Sequence, residues 1–290
     1  MQMDELVSQL NEKFSTQSVI FGCWKNSELP TAFIANKFCR GAVTLYGGHV
    51  LSYEPEGEKD LLWLSGKSFF QSPKGIRGGI PVCWPWFGGN PQPGHGIARI
   101  QFWEMVSTKA EADGSDTLVM RLHVTDPHDL TITLTVNFGA KLTVETQTVN
   151  NSDEPYVLTG ALHTYFNIGE ITETFVEGLG GAKAENRTWK KGFTCEGTFG
   201  FDAEHDYVYS SSSNVIINDK KMNRKILVEK SGSGTTVVWN PWIDKSKAMP
   251  DFGDEEYHTM LCVEAANCYD NFIRLEKGQF HKLSQTISLL

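Results

Sequence analysis

The strictest alternation in the sequence reads Leu130-Thr131-Ile132-Thr133-Leu134-Thr135-Val136-Asn137-Phe138. Apolar side chains two residues apart share one face of a strand, so this stretch predicts a β-strand with one buried face. The pattern continues in Leu142-Thr143-Val144-Glu145-Thr146, after the link Gly139-Ala140. A two-residue link that begins with glycine is typical of a β-hairpin, so we predict two adjacent antiparallel strands.

Short β-rich stretches of this kind fill most of the chain, and helical periodicity is rare. A second hairpin is predicted from 225–230 through Ser231-Gly232-Ser233-Gly234 to 235–239. The exception is a short amphipathic helix expected at about 4–14. We therefore predict an all-β protein, an antiparallel sandwich or barrel with minor helix. No repeat or linker divides the chain, so residues 1–290 are expected to form a single domain.

Composition narrows the functional classes. The chain has 35 acidic against 26 basic residues and a net charge of -9, which argues against nucleic-acid or anionic-membrane partners. Six scattered cysteines show no metal-ligand spacing, so we expect reduced thiols, no metal and no cofactor. The amino-terminal residues lack the apolar core of a signal peptide, and no stretch is apolar enough to span a bilayer. A cytoplasmic monomer that binds a small molecule is the expected state.

A lone carboxylate stands inside an apolar stretch near the end of the chain, Met260-Leu261-Cys262-Val263-Glu264-Ala265-Ala266-Asn267. In a strand, Glu264 shares a face with Cys262, so the carboxylate would lose hydration and need compensating partners. The alternative interpretation is an edge strand with Glu264 in solvent. His163 has a similar setting within Leu158–Phe166. One buried Glu and one buried His are typical of a general base and a general acid.

Two glycine-rich segments carry an arginine each. They read Lys74-Gly75-Ile76-Arg77-Gly78-Gly79-Ile80-Pro81 and Gly94-His95-Gly96-Ile97-Ala98-Arg99. Glycines allow close approach of the backbone to a ligand, and a guanidinium can bind a phosphate with two hydrogen bonds. The alternative is a pair of tight turns with solvated side chains. Asp206 could accept hydrogen bonds from sugar hydroxyls, although an Asp at the start of a strand is often a turn residue.

Together these segments resemble the hexose-6-phosphate mutarotases (glucose-6-phosphate 1-epimerases) of the aldose 1-epimerase superfamily. The resemblance covers roughly residues 40–290 and lies in five segments that follow the family's order. The segments are Gly75–Gly88, His95–Arg99, Leu162–Phe166, Trp239–Trp242 and Met260–Asn267.

The resemblance implies a galactose mutarotase-like β-supersandwich that interconverts the α and β anomers of a hexose 6-phosphate. It implies that a protonated His163 is the general acid and an ionised Glu264 the general base, without metal or cofactor. It also implies four substrate-binding residues, two for the phosphate and two for the sugar: Arg77 and Arg99, then His95 and Asp206. The sequence departs at one position, because Tyr207 stands where the family commonly has a basic residue.

Three alternatives remain open at this point. A carbohydrate-binding module could use the same aromatic and arginine side chains without any chemistry. A glycosidase would need two carboxylates at the cleaved bond, whereas the pair here is Glu with His. An aldose 1-epimerase could act on unphosphorylated sugar, but the two arginines favour a phosphate.

Overall fold

The computed structural model describes residues 3–126, 128–186, 189 and 191–290. Within them lie two α-helices, α1 (Met3–Phe14) and α2 (Trp242–Ala248). The first eleven strands are β1 (Val19–Cys23), β2 (Pro30–Ala35), β3 (Cys39–Thr44), β4 (His49–Pro55), β5 (Val82–Cys83), β6 (Glu104–Ala110), β7 (Asp116–Val124), β8 (Leu130–Phe138), β9 (Leu142–Asn150), β10 (Tyr156–Leu158) and β11 (Gly160–Leu162). The others are β12 (Tyr165–Asn167), β13 (Thr174–Glu177), β14 (Lys183–Asn186), β15 (Lys191–Thr194), β16 (His205–Tyr209), β17 (Val215–Asp219), β18 (Arg224–Ser231), β19 (Thr235–Asn240), β20 (Met260–Asn267), β21 (Ile273–Leu275) and β22 (Phe280–Leu289).

Two eight-stranded sheets dominate the fold. The pocket sheet has the order β15-β14-β16-β19-β20-β11-β5, with β12 also paired to β20. The back sheet has the order β13-β17-β18-β22-β9-β8-β7-β6. A four-stranded sheet, β1 to β4, and the pair β10-β21 complete the architecture. The pairings between these strands are antiparallel, which confirms the predicted all-β class with minor helix.

The two large sheets share one hydrophobic core. The alternation that predicts a strand at Leu130–Phe138 is confirmed, because every second residue of β8 is buried. Side chains of both sheets, including Leu134 and Val263, meet in the core. A buried polar contact also joins the sheets, since Gln285 of β22 donates to the backbone carbonyl of Val263 at 3.0 Å. The pocket sheet is therefore supported from behind at β20.

Both predicted hairpins differ from the structure. Phe138 pairs with Leu142, so the link between β8 and β9 has three residues instead of two. The second hairpin is wrong: β18 pairs with β17 and β22, whereas β19 pairs with β16 and β20. Ser231 ends β18, and the link Gly232-Ser233-Gly234 therefore crosses from the back sheet to the pocket sheet. A local turn pattern cannot distinguish these outcomes, because partner choice depends on residues distant in sequence.

Helix α1 begins at Met3 and ends at Phe14, and it packs against β1. Among the residues that the structure describes, no helix is both long and apolar enough to cross a membrane. The single-domain assignment of residues 1–290 stays a prediction.

Candidate active site

Glu264 lies in the middle of the pocket sheet. Its strand, β20, runs between β19 on one side and β11 and β12 on the other, and the whole strand is buried. The Glu264 side chain is 1% exposed. The edge-strand interpretation of Glu264 is therefore wrong, and the carboxyl group is a buried group in an apolar setting.

The register of the sheet brings His163 to Glu264. Leu162 pairs with Ala265 and Tyr165 pairs with Cys262, so His163 lies opposite Glu264 where β11 ends and before β12 begins. The backbone N–H of His163, which belongs to neither strand, donates to the carbonyl of Pro81 at 3.1 Å. His163 Nδ1 and Glu264 Oε1 are 3.4 Å apart. The two residues selected from their apolar context thus form a direct pair.

Burial sets the protonation of this pair. It raises the pKa of the Glu264 carboxyl well above its ordinary value of 4.5, and the charge of Asp206 raises it further. Burial also lowers the pKa of the His163 imidazole well below 6.5, and His95 and Arg77 act in the same direction. Both directions favour the neutral form of each group. The charged pair expected from the sequence, an ionised Glu264 and a protonated His163, stays a prediction for the enzyme with its substrate bound.

The pair opens into a pocket of about 310 Å³. That volume is in the range of small-molecule sites. The lining combines aromatic, acidic and basic side chains: Arg77, Phe87, His95, His163, Tyr165, Asp206, Trp239, Lys245, Met249, Glu264 and Tyr269, with Gly88, Gly89, Val208 and Val237. Five of the six residues predicted for the site therefore meet in one cavity.

Arg77 lies in this pocket but is already held by protein groups. Its Nε and Nη2 donate to the two carboxylate oxygens of Asp251, both at 3.2 Å, and its Nη1 donates to the Tyr165 hydroxyl at 3.0 Å. Burial alone would lower the pKa of Arg77, but Tyr165 and Asp251 outweigh it and raise the pKa. A guanidinium carries five N–H groups, so two remain for a ligand.

Tyr165 links Arg77 to the pair of His163 and Glu264. Its ring stacks on the His163 imidazole, with centroids 4.9 Å apart and planes 9° from parallel. The face of the imidazole is thus fixed by a ring whose hydroxyl group is bound by Arg77. Asp251, which sequence reasoning missed, fixes Arg77 in turn. The sequence signal is weak, because Asp251 is 174 positions from Arg77.

His95 borders the pair from the glycine-rich loop. Its ring lies edge-on to His163, with centroids 5.6 Å apart, and 4.9 Å from the Phe87 ring. Burial and the charges of Arg99 and Arg77 lower the pKa of His95 to about 4, so the ring is neutral at pH 7. Its Nδ1 is buried and has no hydrogen-bond partner among the described residues. A neutral imidazole with an unused ring nitrogen is suited to a sugar hydroxyl.

Asp206 enters the pocket from β16 together with a cation that sequence reasoning missed. Lys245 of α2 lies 3.3 Å from an Asp206 carboxylate oxygen and 2.9 Å from one of Glu204. Burial lowers the pKa of Lys245, but the two carboxylates outweigh it and raise the pKa. Lys245 therefore places a positive charge beside Asp206.

Tyr207, the departure from the family pattern, points elsewhere. Adjacent residues of a strand face opposite sides, so Tyr207 does not share the face of Asp206. Its ring instead packs on Phe193 and His205, with centroids 5.1 Å and 4.9 Å away. The positive charge beside Asp206 comes from Lys245 instead of from residue 207.

Arg99 is the predicted site residue that does not line this pocket in the described part of the chain. It donates from Nη2 to the Gly94 carbonyl at 2.8 Å, and its Nη1 lies so close to Gly75 that a Cβ there would approach it to 2.4 Å. Its Nε is buried without a hydrogen-bond partner in the described residues. Arg99 thus packs between the two glycine-rich segments.

The glycines of these segments serve protein packing. Gly79 has φ +62°, and a Cβ there would lie 2.3 Å from the Val50 carbonyl oxygen. Gly96 has φ +73°, and a Cβ there would lie 2.1 Å from the carbonyl oxygen of Trp84. The sequence predicts that these glycines let the backbone approach a ligand, whereas in the structure they let it approach neighbouring backbone segments. It fixes the loops that carry Arg77 and His95.

One group of side chains in the site could hold a metal ion. Ligand atoms of His163, Cys262 and Glu264 all lie within 4.8 Å of one another. The sequence spacing of Cys and His gave no sign of it, because His163 joins the group through the sheet register.

Comparison with known proteins agrees with this geometry. Residues 32–288 match the family model described as aldose 1-epimerase. The chain is 39% identical over 264 residues to a protein of Cenchrus ciliaris named "Putative glucose-6-phosphate 1-epimerase", covering 83% of this chain and 78% of that one. A protein of the same name from Escherichia coli is 35% identical over 253 residues, covering 83% and 84%.

A solved structure extends the similarity to the fold. The crystal structure described as a "putative mutarotase" from Salmonella typhimurium superposes with a TM-score of 0.87 at 28% identity. The match covers 96% of this chain and 95% of that one. The galactose mutarotase-like β-supersandwich is thereby confirmed. By its family match, its relatives and its fold, the chain belongs to the aldose 1-epimerase family.

Proposed function

We propose that this protein is an isomerase that interconverts the α and β anomers of a D-hexose 6-phosphate, with glucose 6-phosphate as the first candidate substrate. The observation that carries the proposal is the His163–Glu264 pair, 3.4 Å apart at the base of a pocket that also contains Arg77, His95 and Asp206. Membership of the aldose 1-epimerase family supports the reaction, and the names of the relatives support the phosphorylated substrate.

The reaction needs one base and one acid. The base removes the proton of the C1 hydroxyl while the acid protonates the ring oxygen, and the sugar opens to the aldehyde. Rotation about the C1–C2 bond and closure on the other carbonyl face reverse both transfers. Glu264 as base and His163 as acid fulfil these roles when the shared proton lies on His163. Sugar hydroxyls that donate to the Glu264 carboxylate would favour its ionised form, and so move the proton there on binding.

Substrate binding draws on the remaining groups of the pocket. Asp206, held by Lys245, accepts hydrogen bonds from ring hydroxyls, and Phe87 and Trp239 offer apolar faces to the sugar. The two uncommitted N–H groups of Arg77 bind the phosphate, with Lys245 as a second cation in the same pocket. The phosphate role of Arg99 stays a prediction, and it would act from behind the glycine-rich loops.

The test is a mutarotation assay that starts from the pure α anomer. Glucose 6-phosphate, galactose 6-phosphate, mannose 6-phosphate and glucose are compared at equal concentrations. We expect the largest acceleration with a hexose 6-phosphate. Binding without acceleration would identify a carbohydrate-binding module, and equal acceleration of glucose would identify an aldose 1-epimerase for unphosphorylated sugars.

Arg77→Ala and Arg99→Ala test the phosphate step. Hydrogen bonds to charged groups contribute about 1.5–3 kcal/mol, so Arg77→Ala should bind glucose 6-phosphate about 10–150-fold more weakly, and an equal loss in Arg99→Ala would show that Arg99 also reaches the phosphate. The rate at saturation should change little in Arg99→Ala, whereas Arg77→Ala should also slow it, because Arg77 binds the Tyr165 hydroxyl and the Tyr165 ring stacks on His163. Equal loss of affinity for glucose and glucose 6-phosphate would show that the arginines act only in packing.

The remaining expectations are also part of this proposal. We infer a cytoplasmic, monomeric protein that binds neither nucleic acid nor membranes. The acidic net charge and six free cysteines support that setting. Sedimentation of the purified protein tests the monomer.

A further inference from the structure

At the base of the pocket, the lining residues His163 and Glu264 meet a third metal-binding side chain, the fully buried Cys262 of β20. Cys262 and Glu264 are two residues apart on β20 and share a face, and His163 lies opposite Glu264 in the register. His163 Nδ1, Cys262 Sγ and a Glu264 carboxylate oxygen lie within 4.8 Å of one another. Imidazole nitrogen, thiolate sulfur and carboxylate oxygen are the three ligand types that Zn²⁺ prefers.

The spacing of the nitrogen and the oxygen suits a metal ion. Ligands about 2.0–2.1 Å from a tetrahedral Zn²⁺ lie about 3.3–3.4 Å from each other. His163 Nδ1 and Glu264 Oε1 are 3.4 Å apart. His163 Nδ1 and Glu264 Oε2 are moreover buried and have no hydrogen-bond partner within the described residues. Neither atom is held by a hydrogen bond from this part of the protein, so both are open to a ligand.

The charge balance also favours a divalent cation. One Zn²⁺ with a thiolate, a carboxylate and a neutral imidazole forms a complex without net charge, which lowers the penalty of burying the ion. Binding would replace the S–H and O–H bonds with metal bonds and release two protons. Other ionisable side chains around the group are Arg77, Cys83, His95, Arg99, Tyr165 and Asp206.

We propose that His163, Cys262 and Glu264 form an inhibitory site for a thiophilic divalent cation such as Zn²⁺. His163 and Glu264 both line the pocket, so a bound ion would lie where the sugar phosphate binds. The bound ion occupies both proton-transfer groups, so it blocks catalysis and competes with the sugar phosphate. Inhibition rests on the proposed function, whereas metal binding does not. Mg²⁺ prefers oxygen ligands and should not bind here.

Cobalt provides a direct measurement of binding. Metal-free protein is titrated with Co²⁺, and absorption is recorded in the region of thiolate-to-cobalt charge transfer. We expect a band that saturates at one equivalent and disappears when Zn²⁺ or glucose 6-phosphate is added. Cys262→Ser should abolish the band. Cys195→Ser is the matched control, because that buried thiol donates to the Gly197 carbonyl, as a serine hydroxyl can.

Inhibition is then measured against each variant's own metal-free rate. Zn²⁺ should inhibit wild type and Cys195→Ser competitively with glucose 6-phosphate. Cys262→Ser should need at least ~10–100-fold more Zn²⁺, since even outer partners of metal ligands contribute that much to affinity. A wild-type enzyme without a cobalt–thiolate band, or equal inhibition by Mg²⁺, would overturn the proposal. A band in a protein without mutarotase activity would instead refute only the proposed function.

Discussion

At the scale of single residues, the proposed chemistry depends on the His163–Glu264 pair, whose atoms lie 3.4 Å apart. Glu264→Gln and His163→Asn keep approximate shape but remove proton transfer, so each should lower kcat by about 10²–10⁴-fold. The double variant should be little slower than either single variant, because residues that act as a unit give non-additive losses. The measurement is kcat from the α anomer of glucose 6-phosphate. A folded Glu264→Gln enzyme with the wild-type rate would contradict the assignment.

The electrostatics of the pair also predict its pH dependence. Activity requires one proton on the pair. With the pKa of His163 lowered and that of Glu264 raised, the second proton binds mainly to His163 as pH falls, and the last proton leaves mainly Glu264 as pH rises. We expect a bell-shaped profile of kcat/KM for the free enzyme, with apparent pKa values that belong to the coupled pair. A profile that stays flat across the range in which the enzyme is folded would contradict the pair as acid and base.

At the scale of elements, the segment after α2 positions His163, the proposed acid. Asp251 holds Arg77, Arg77 binds the Tyr165 hydroxyl, and Tyr165 stacks on His163. Asp251→Asn removes the negative charge from the mostly buried Arg77–Asp251 pair. Arg77, and with it the Tyr165 ring that stacks on His163, should then be able to shift. Since small displacements at a reacting centre are costly, we expect kcat/KM to fall by about 10–100-fold. The measurement is kcat/KM for glucose 6-phosphate at neutral pH.

Asp254→Asn is the matched control for that variant. Asp254 is three residues further along and pairs with Lys67, but both side chains are 56% exposed. Exposed pairs contribute only about 0–1 kcal/mol, so this variant should keep the wild-type kcat/KM. Equal losses in both variants would mean that the segment acts through stability alone, which the unfolding temperature would show.

Helix α2 contributes a second positioning residue, Lys245. Lys245→Met leaves the charge of Asp206 uncompensated, and that charge already raises the pKa of Glu264. More negative charge near Glu264 raises the pKa of its carboxyl further. The alkaline limb of the kcat/KM profile should therefore move to higher pH. Lys245→Arg should restore the limb, and Lys247→Met, an exposed change in the same helix, should leave it in place. If the alkaline limb of Lys245→Met stays at the wild-type pH, Lys245 does not influence the pKa of Glu264.

At the scale of the whole molecule, local patterns predict strands better than their partners. The alternation at Leu130–Phe138 predicts β8 because burial on one face is a property of the stretch itself. The Ser231–Gly234 link looks like a hairpin turn, yet β18 and β19 belong to different sheets. Which strands pair is decided by the packing of two sheets, and a turn pattern carries no information about that.

The site shows the same division between local and distant information. Glu264 and His163 can be predicted because a polar residue in an apolar strand is visible locally, and the family resemblance adds Arg77, His95 and Asp206. Asp251 and Lys245 could not be predicted. They lie in polar segments where acidic and basic residues are common, and only the fold brings them to Arg77 and Asp206.

The crossing between the two sheets yields the last prediction. Gly232 has φ +71°, and a Cβ there would lie 1.9 Å from the Lys282 carbonyl oxygen of β22. Gly278 has a similar φ of +74°, but a Cβ there would meet open space. Gly278→Ala should therefore lower the free energy of unfolding only by the cost of the left-handed backbone, about 1–2 kcal/mol.

Gly232→Ala carries the same backbone cost together with the clash, which forces the link away from β22 and adds roughly 1–3 kcal/mol. Urea unfolding of both variants gives the two free energies. Because the link joins the sheet that carries Glu264 to the sheet behind it, Gly232→Ala should also lose activity at a lower urea concentration than Gly278→Ala. Equal stability of the two variants would show that the crossing can shift freely, and that the close approach to β22 does not hold the sheets together.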